Sequence, residues 1–143
     1  MKNHSSINQS LSPTDLSACT TLAVDLAKQV FQVAGEDVLG QVRYEQRIKS
    51  REAFYEFLRQ LPPHVVVLME TGPGAQAWAR QLQEQGNPAR ILPAGLVAKH
   101  RSGPKNDRND ALAILRANRD EKIYAVPVKS VAALAMQALH RAR

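Results

Sequence analysis

Four carboxylates occupy positions from which they could act together. Asp25 directly follows Leu22-Ala23-Val24 and Glu70 directly follows Val65-Val66-Val67-Leu68-Met69, so each ends a short apolar run that reads as a strand. In open α/β sheets, sites gather at the carboxyl ends of strands. Either acid could equally begin a loop or cap a helix. Asp107 and Asp110 lie three apart, and a helix would set them on one face with about 5 to 6 Å between β-carbons. In a first helical turn each would also stabilise the positive end of the helix dipole by about 0.3 to 1 kcal/mol, with Asn106 as the N-cap. If all four converge, repulsion dominates: like charges about 4 Å apart cost roughly 4 kcal/mol per pair at an effective dielectric near 20. Such a cluster needs protons or divalent cations, and oxygen-only ligands favour Mg²⁺ or Mn²⁺. Two such ions about 3.5 to 4 Å apart would stabilise the attacking and leaving oxygens of a phosphodiester displacement.

The basic residues Lys99, Arg101, Lys105 and Arg108 flank the Asp107/Asp110 pair. They either offset local negative charge or hold phosphates beside the carboxylates. Lys28, three residues after Asp25, could approach the same groove or remain solvated. The net charge of +6 has a location: residues 99–143 hold 10 basic and 4 acidic groups, while residues 1–98 balance at 9 of each. A concentrated basic region is the footprint of a nucleic-acid binder, although a solvated helical face gives the same count.

The elements that must position these groups follow from patterning. Residues 1–19 are polar with few apolar groups and read as a mobile lead-in. Leu22 to Val24, Phe31 to Ala34 and Val38 to Tyr44 read as an antiparallel meander with a turn at Gly35-Glu36-Asp37. Ser50 caps a helix with Phe54, Phe57, Leu58 and Leu61 on one face, stopped by Pro62-Pro63. A central strand spans His64 to Met69. A second helix buries Ala75, Trp78, Ala79 and Leu82 and stops at Gly86-Asn87-Pro88. A fifth strand covers Arg90 to Leu92, a basic segment runs from Lys99 to Lys105, and a helix from about Asp107 to Arg119. Ile123 to Val126 is extended, and a last helix begins at Ser130. Trp78, Phe54 and Phe57 fall at core spacing, and Gly72-Pro73-Gly74 is too short for a phosphate cradle.

Length and composition bound the rest. A chain of 143 residues, 44% hydrophobic and 22% charged, makes one ordinary domain able to hold a core. Apolar runs such as Val65 to Met69 fall far short of the roughly 18 to 20 residues that span a bilayer, and no secretory leader pattern opens the chain. The expectation is a cytoplasmic protein with no membrane partner. Cys19 is the single cysteine, which excludes an intrachain disulfide and a thiolate zinc cage; the four histidines have no metal-ligand spacing. A meander followed by helix, strand, helix, strand and helices predicts an α/β layer fold with a mixed sheet, an order that several fold families share; the ribonuclease-H-like fold, a mixed five-stranded sheet flanked by helices, is one. Actin-like sugar kinases share this order, but Asp25 lacks the Gly-rich phosphate turn that would follow their first strand.

Taken together, Ala23-Val24-Asp25-Leu26-Ala27-Lys28, Met69-Glu70-Thr71-Gly72 and Lys105-Asn106-Asp107-Arg108-Asn109-Asp110-Ala111 resemble the three signature blocks of the DEDD transposases. These are the one-ten family of bacterial insertion sequences, relatives of the pilin-gene invertases. The third block is the most specific. The resemblance covers residues 20–143 and implies a ribonuclease-H-like domain over 20–129, similar to Holliday-junction resolvases, with Asp25, Glu70, Asp107 and Asp110 as catalytic residues and Mg²⁺ ligands. It also implies DNA strand cleavage and transfer, homo-oligomeric assembly, and guidance by a structured bridge RNA. Members continue through a coiled coil into a second domain that supplies a serine nucleophile, so residues 130–143 are expected to begin the lead-in to that coiled coil, and this fragment is expected to be inactive alone. The rival expectation is a non-catalytic nucleic-acid or guide-RNA binding module.

Overall fold

In the computed structural model, the described residues are 15–27 and 29–129, together with Met136 and Leu139. The expected last helix from Ser130, the residue Lys28, and residues 1–14 of the expected lead-in lie outside them. The strands are β1 (Thr21–Leu26), β2 (Phe31–Glu36), β3 (Val42–Ile48), β4 (Val66–Glu70) and β5 (Ala89–Leu92). The helices are α1 (Arg51–Arg59), α2 (Ala75–Glu84), the single turn α3 (Ala94–Val97) and α4 (Asp107–Asn118). Strand order is β3-β2-β1-β4-β5, with β1 and β4 parallel, β4 and β5 parallel, and the first three strands antiparallel. This is the mixed five-stranded sheet flanked by helices that the patterning predicted, and it is consistent with a ribonuclease-H-like fold.

Period-two alternation divides the interior into two cores, one on each face of the sheet. Leu22 and Val24 of β1, Val67 and Met69 of β4, and Ile91 of β5 face α1 and α2, where Phe54, Leu58, Trp78 and Leu82 meet them. Ala23, Ala34, Leu68 and Leu92 face the opposite way, onto Ala111, Ile114 and Leu115 of α4. The helices start where expected. The Ser50 hydroxyl accepts from Ala53 N at 3.0 Å, and the Asn106 side chain accepts from Asn109 N at 2.7 Å. Buried Asn87 is satisfied because it donates to the carbonyls of Pro62 at 2.8 Å and Val65 at 3.2 Å. The extended stretch at Ile123 to Val126 makes an antiparallel bridge from Val126 to Ile91.

Two expectations need correction. Gly35 and Glu36 belong to β2, and the turn lies at Asp37 to Gly40. The Asp37 carboxylate accepts from Leu39 N at 2.9 Å and Gln41 N at 3.0 Å, and Gly40 adopts the positive φ of 83° that closes the turn. Val38 and Leu39, read as the start of the third strand, are therefore exposed at its tip, and β3 runs later, to Ile48. The second correction concerns residues 15–19. Leu16–Ala18 form a 3-10 turn, Asp15 N donates to Arg43 O at 2.8 Å, and Cys19 is 1% exposed. Burial, reinforced by Asp15, pushes the Cys19 thiol up to about 11, so it acts as a small apolar group.

Gly35 is the strand residue that makes this packing possible, because a Cβ there would stand 2.5 Å from Leu22 Cδ2 and 2.6 Å from Cys19 Sγ. Gly35→Ala is expected to cost about 1 to 3 kcal/mol through overpacking. Urea unfolding will measure this, and Cys19→Ala in the same chain should restore part of the loss. An unchanged midpoint for Gly35→Ala would contradict the packing.

Candidate metal centre

The same alternation places the acidic residues. On β1, Asp25 shares the α4 face with Ala23; on β4, Glu70 shares it with Leu68. Ala23 and Leu68 are register partners in the parallel pair, and each acid lies two residues further along its strand. Both carboxylates therefore leave the same edge of the sheet toward the start of α4. That start is fixed by the Asn106 cap, which sets Asp107 and Asp110 in the first turn.

Carboxylate oxygens of Asp25, Asp107 and Asp110 all lie within 4.8 Å of one another. Asp25 and Asp107 are half-buried, and Asp110 is 9% exposed. Burial raises the Asp25 pKa from its ordinary 3.8 to about 7, with further upward pressure from Asp110, Asp107 and Glu70 and a carboxyl hydrogen bond with Asp107. Glu70 lies outside that 4.8 Å group but near enough to feel the charge of Asp110. Burial lifts its pKa too, Asp110 adds to that, and Arg101 and Lys105 oppose it. Glu70 Oε2 is buried and has no hydrogen-bond partner, whereas Oε1 lies 3.8 Å from the Arg101 guanidinium.

Three cations face this negative charge. Arg101 Nε donates to Asp110 Oδ1 at 2.8 Å, Lys105 Nζ lies 3.5 Å from Asp110 Oδ2, and Arg47 Nη1 lies 3.5 Å from Asp107 Oδ2. The clustered carboxylates of Asp25, Asp107 and Asp110 and the unsatisfied Glu70 oxygen are an oxygen-only donor set, which fits a hard divalent cation such as Mg²⁺ or Mn²⁺.

Of the four basic residues expected near the site, Arg101 and Lys105 reach it and the other two do not. Arg108 follows Asp107 on α4, and one helical step turns it away to β3, where it pairs with Glu45 at 2.5 and 3.0 Å. Lys99 is exposed beside a separate hollow of about 280 Å³ that His100, Asp120 and Lys122 also line. Arg47 was not foreseen. Its signal is register: Asp25 pairs with Gln32 and Gln32 with Arg47, so the three share one face of the sheet. With the hairpin turn misplaced, sequence gave the wrong register for β3.

No protein-family model matches the chain. Individual relatives do. The chain is 41% identical over 122 residues to a probable family 20 transposase of Pseudomonas aeruginosa, a match covering 85% of this chain and 36% of that protein. It is 37% identical over 122 residues to the transposase for insertion sequence element IS1111A of Coxiella burnetii, covering 85% and 33%. It is 31% identical over 124 residues to the transposase for insertion sequence element IS1328 of Yersinia enterocolitica, covering 87% and 36%. The chain spans about a third of the length of these curated relatives.

The raised pKa of Asp25 has a sign that can be measured in chelator. Its charged form carries a folding penalty that is absent below 3.8, grows as pH rises, and is complete above about 7. Asp25→Asn should therefore melt higher than the parent at pH 8 by the equivalent of about 1 kcal/mol, a figure discounted for the water that screens a half-buried site, and match it near pH 4. Parallel pH profiles for the two proteins would overturn the convergence.

Proposed function

Because most of this chain is related by sequence to transposases of bacterial insertion sequences, we propose that its four carboxylates form the divalent-metal site of a DNA-cleaving and strand-transferring domain. The observation that carries the reading is the convergence of Asp25, Asp107 and Asp110 within 4.8 Å, with an unsatisfied Glu70 oxygen beside them. A soluble fold has no reason of its own to gather these charges at one sheet edge. Asp25, Glu70, Asp107 and Asp110 would hold Mg²⁺ or Mn²⁺, which when bound supplies Lewis-acid activation of an attacking oxygen and charge stabilisation on a phosphodiester.

The chain's own residues do the rest of the work at this edge. Asp25, whose pKa is raised, would have to give up its proton for its carboxylate to serve as a ligand. Arg101 and Lys105, held against Asp110, are positioned to turn toward phosphate oxygens once the carboxylates are neutralised. Arg47 orients Asp107 from the neighbouring strand. Bridge-RNA guidance, homo-oligomeric assembly and a serine supplied by a second domain are proposals that rest on the resemblance of the three blocks, and so is the inactivity of these residues in isolation. Among the described residues, no helix is long and apolar enough to cross a membrane.

A second reading has its own support. Arg47, Arg101 and Lys105 already offset much of the negative charge, so the site could stand without metal in a nucleic-acid or guide-RNA binding module. Thermal unfolding with and without millimolar Mn²⁺ separates the two readings. Binding at 100 times the dissociation constant should stabilise the parent by about 2.7 kcal/mol, a rise of several degrees, and Asp110→Asn should lose it. An equal response, or none, in both proteins would favour the binding module.

A further inference from the structure

The strand ends that carry Asp25 and Glu70 also shape a second feature, on the opposite face of the sheet. A cleft of about 630 Å³ opens between the end of β1 and the start of α2, lined by Leu26, Ala27, Arg51, Pro73, Gly74 and Trp78. We propose that this cleft receives an unstacked nucleobase of the DNA strand whose backbone lies at the carboxylates, with the Arg51 guanidinium as its stacking platform. The proposal rests on the function proposed above for the carboxylates.

Three observations carry it. The first is continuity. Leu26 and Ala27 directly follow Asp25, so the cleft wall begins within about 7.6 Å of backbone from a proposed ligand, and Pro73 and Gly74 belong to the loop that leaves Glu70. A nucleotide with its phosphate at the carboxylates has its base within reach of this wall.

The second observation is chemistry. Arg51, exposed at the first position of α1, sits over the Trp78 ring at 5.3 Å and makes no ion pair among the described residues. Trp78 is itself fixed edge-on against Phe31 and Phe54, at 6.0 and 4.8 Å between centroids, while those two rings stack at 4.1 Å. The guanidinium is thus a flat, charged plate mounted on a rigid aromatic base, with apolar walls beside it. Such a plate takes the π-face of any base.

The third observation is access. Gly74, at φ 85°, begins α2 with no side-chain cap, and a Cβ there would lie 3.7 Å from Trp78 Cδ1 at the mouth of the cleft. On the other side of Arg51 a hollow of about 490 Å³ is lined by Glu52, Glu56 and Trp78.

Trp78 is the single tryptophan of the chain and lines both this cleft and the hollow beside Glu52 and Glu56, so its fluorescence reports on the surroundings of Arg51. The probe is a labelled single-stranded DNA of ten thymidines, titrated in Ca²⁺ to neutralise the carboxylates, against an abasic strand of the same length. Anisotropy reads binding, and Trp78 emission reads the cleft. Quenching that saturates with the anisotropy, is absent with the abasic strand, and is accompanied by about 2- to 30-fold weaker binding in both Arg51→Ala and Arg51→Lys supports the inference. The lysine variant keeps the charge and loses the plate. Binding with unchanged emission, equal affinity for the abasic strand, or full retention in Arg51→Lys overturns the base site while leaving the carboxylate reading intact. If neither strand binds, both readings fall.

Discussion

Mutual repulsion among carboxylates at one sheet edge is the constraint around which the rest of the structure is arranged. Burial raises the cost of ionising Asp25, and the neighbouring charges of Asp110, Asp107 and Glu70 raise it further. Without a metal, the fold meets that cost in two ways. Asp25 holds its proton to near neutrality and shares a hydrogen bond with Asp107. Arg101, Lys105 and Arg47 approach from two directions, one pair from the segment before α4 and the other from β3. None of these pairings is well enough buried to be a strong stabiliser, and the most exposed, at Lys105, is worth little. They make the site tolerable and exchangeable, which a binding site for a hard cation requires.

The core explains why the carboxylates cannot move apart. Asp25 is anchored by a strand whose preceding residues are buried in both cores: Leu22 and Val24 against α1 and α2, Ala23 against α4. Ala111, Ile114 and Leu115 fix α4 over the sheet, and the small Ala23 and Ala34 beneath it allow its close approach. Farther along the helix Arg119 pairs with Glu36 of β2, while Arg90 of β5 bonds Asn118. The helix is thus tethered at its far end as well as packed along its length, and its first turn is held at the mouth of β1 and β4.

Much of this was legible in the sequence, because it depends on short-range signals. Apolar runs ending in a single acid located Asp25 and Glu70, i, i+3 spacing placed Asp107 and Asp110 on one face, and the Ser50 and Asn106 caps fixed helix starts. What escaped depended on strand register. The turn was read at Gly35, where glycine serves a close approach to Cys19 and Leu22, instead of at Asp37 to Gly40, where the Asp37 side chain organises the loop. A shifted turn carries β3 out of alignment, and with it Arg47. Arg108 failed for a related reason: adjacency in sequence on a helix points neighbours about 100° apart, so proximity to Asp107 along the chain says little about the site.

Topology ties the two faces of the sheet together. β1 and β4 run parallel, so their carboxyl ends meet at one edge, and every residue that follows them must turn across that edge. Alternation sends the last acid of each strand toward α4, and the chain immediately beyond lines the opposite face, where Leu26 and Ala27 meet the Arg51 and Trp78 pair. One edge thus presents oxygen ligands on one side and a flat cation on an aromatic support on the other. Nucleic acid offers complementary halves in the same order, an anionic backbone and a π-faced base, separated by a single sugar. A fold that gathers its acids at paired strand ends thereby gains, from the residues that must leave those ends, the wall of a second recognition surface.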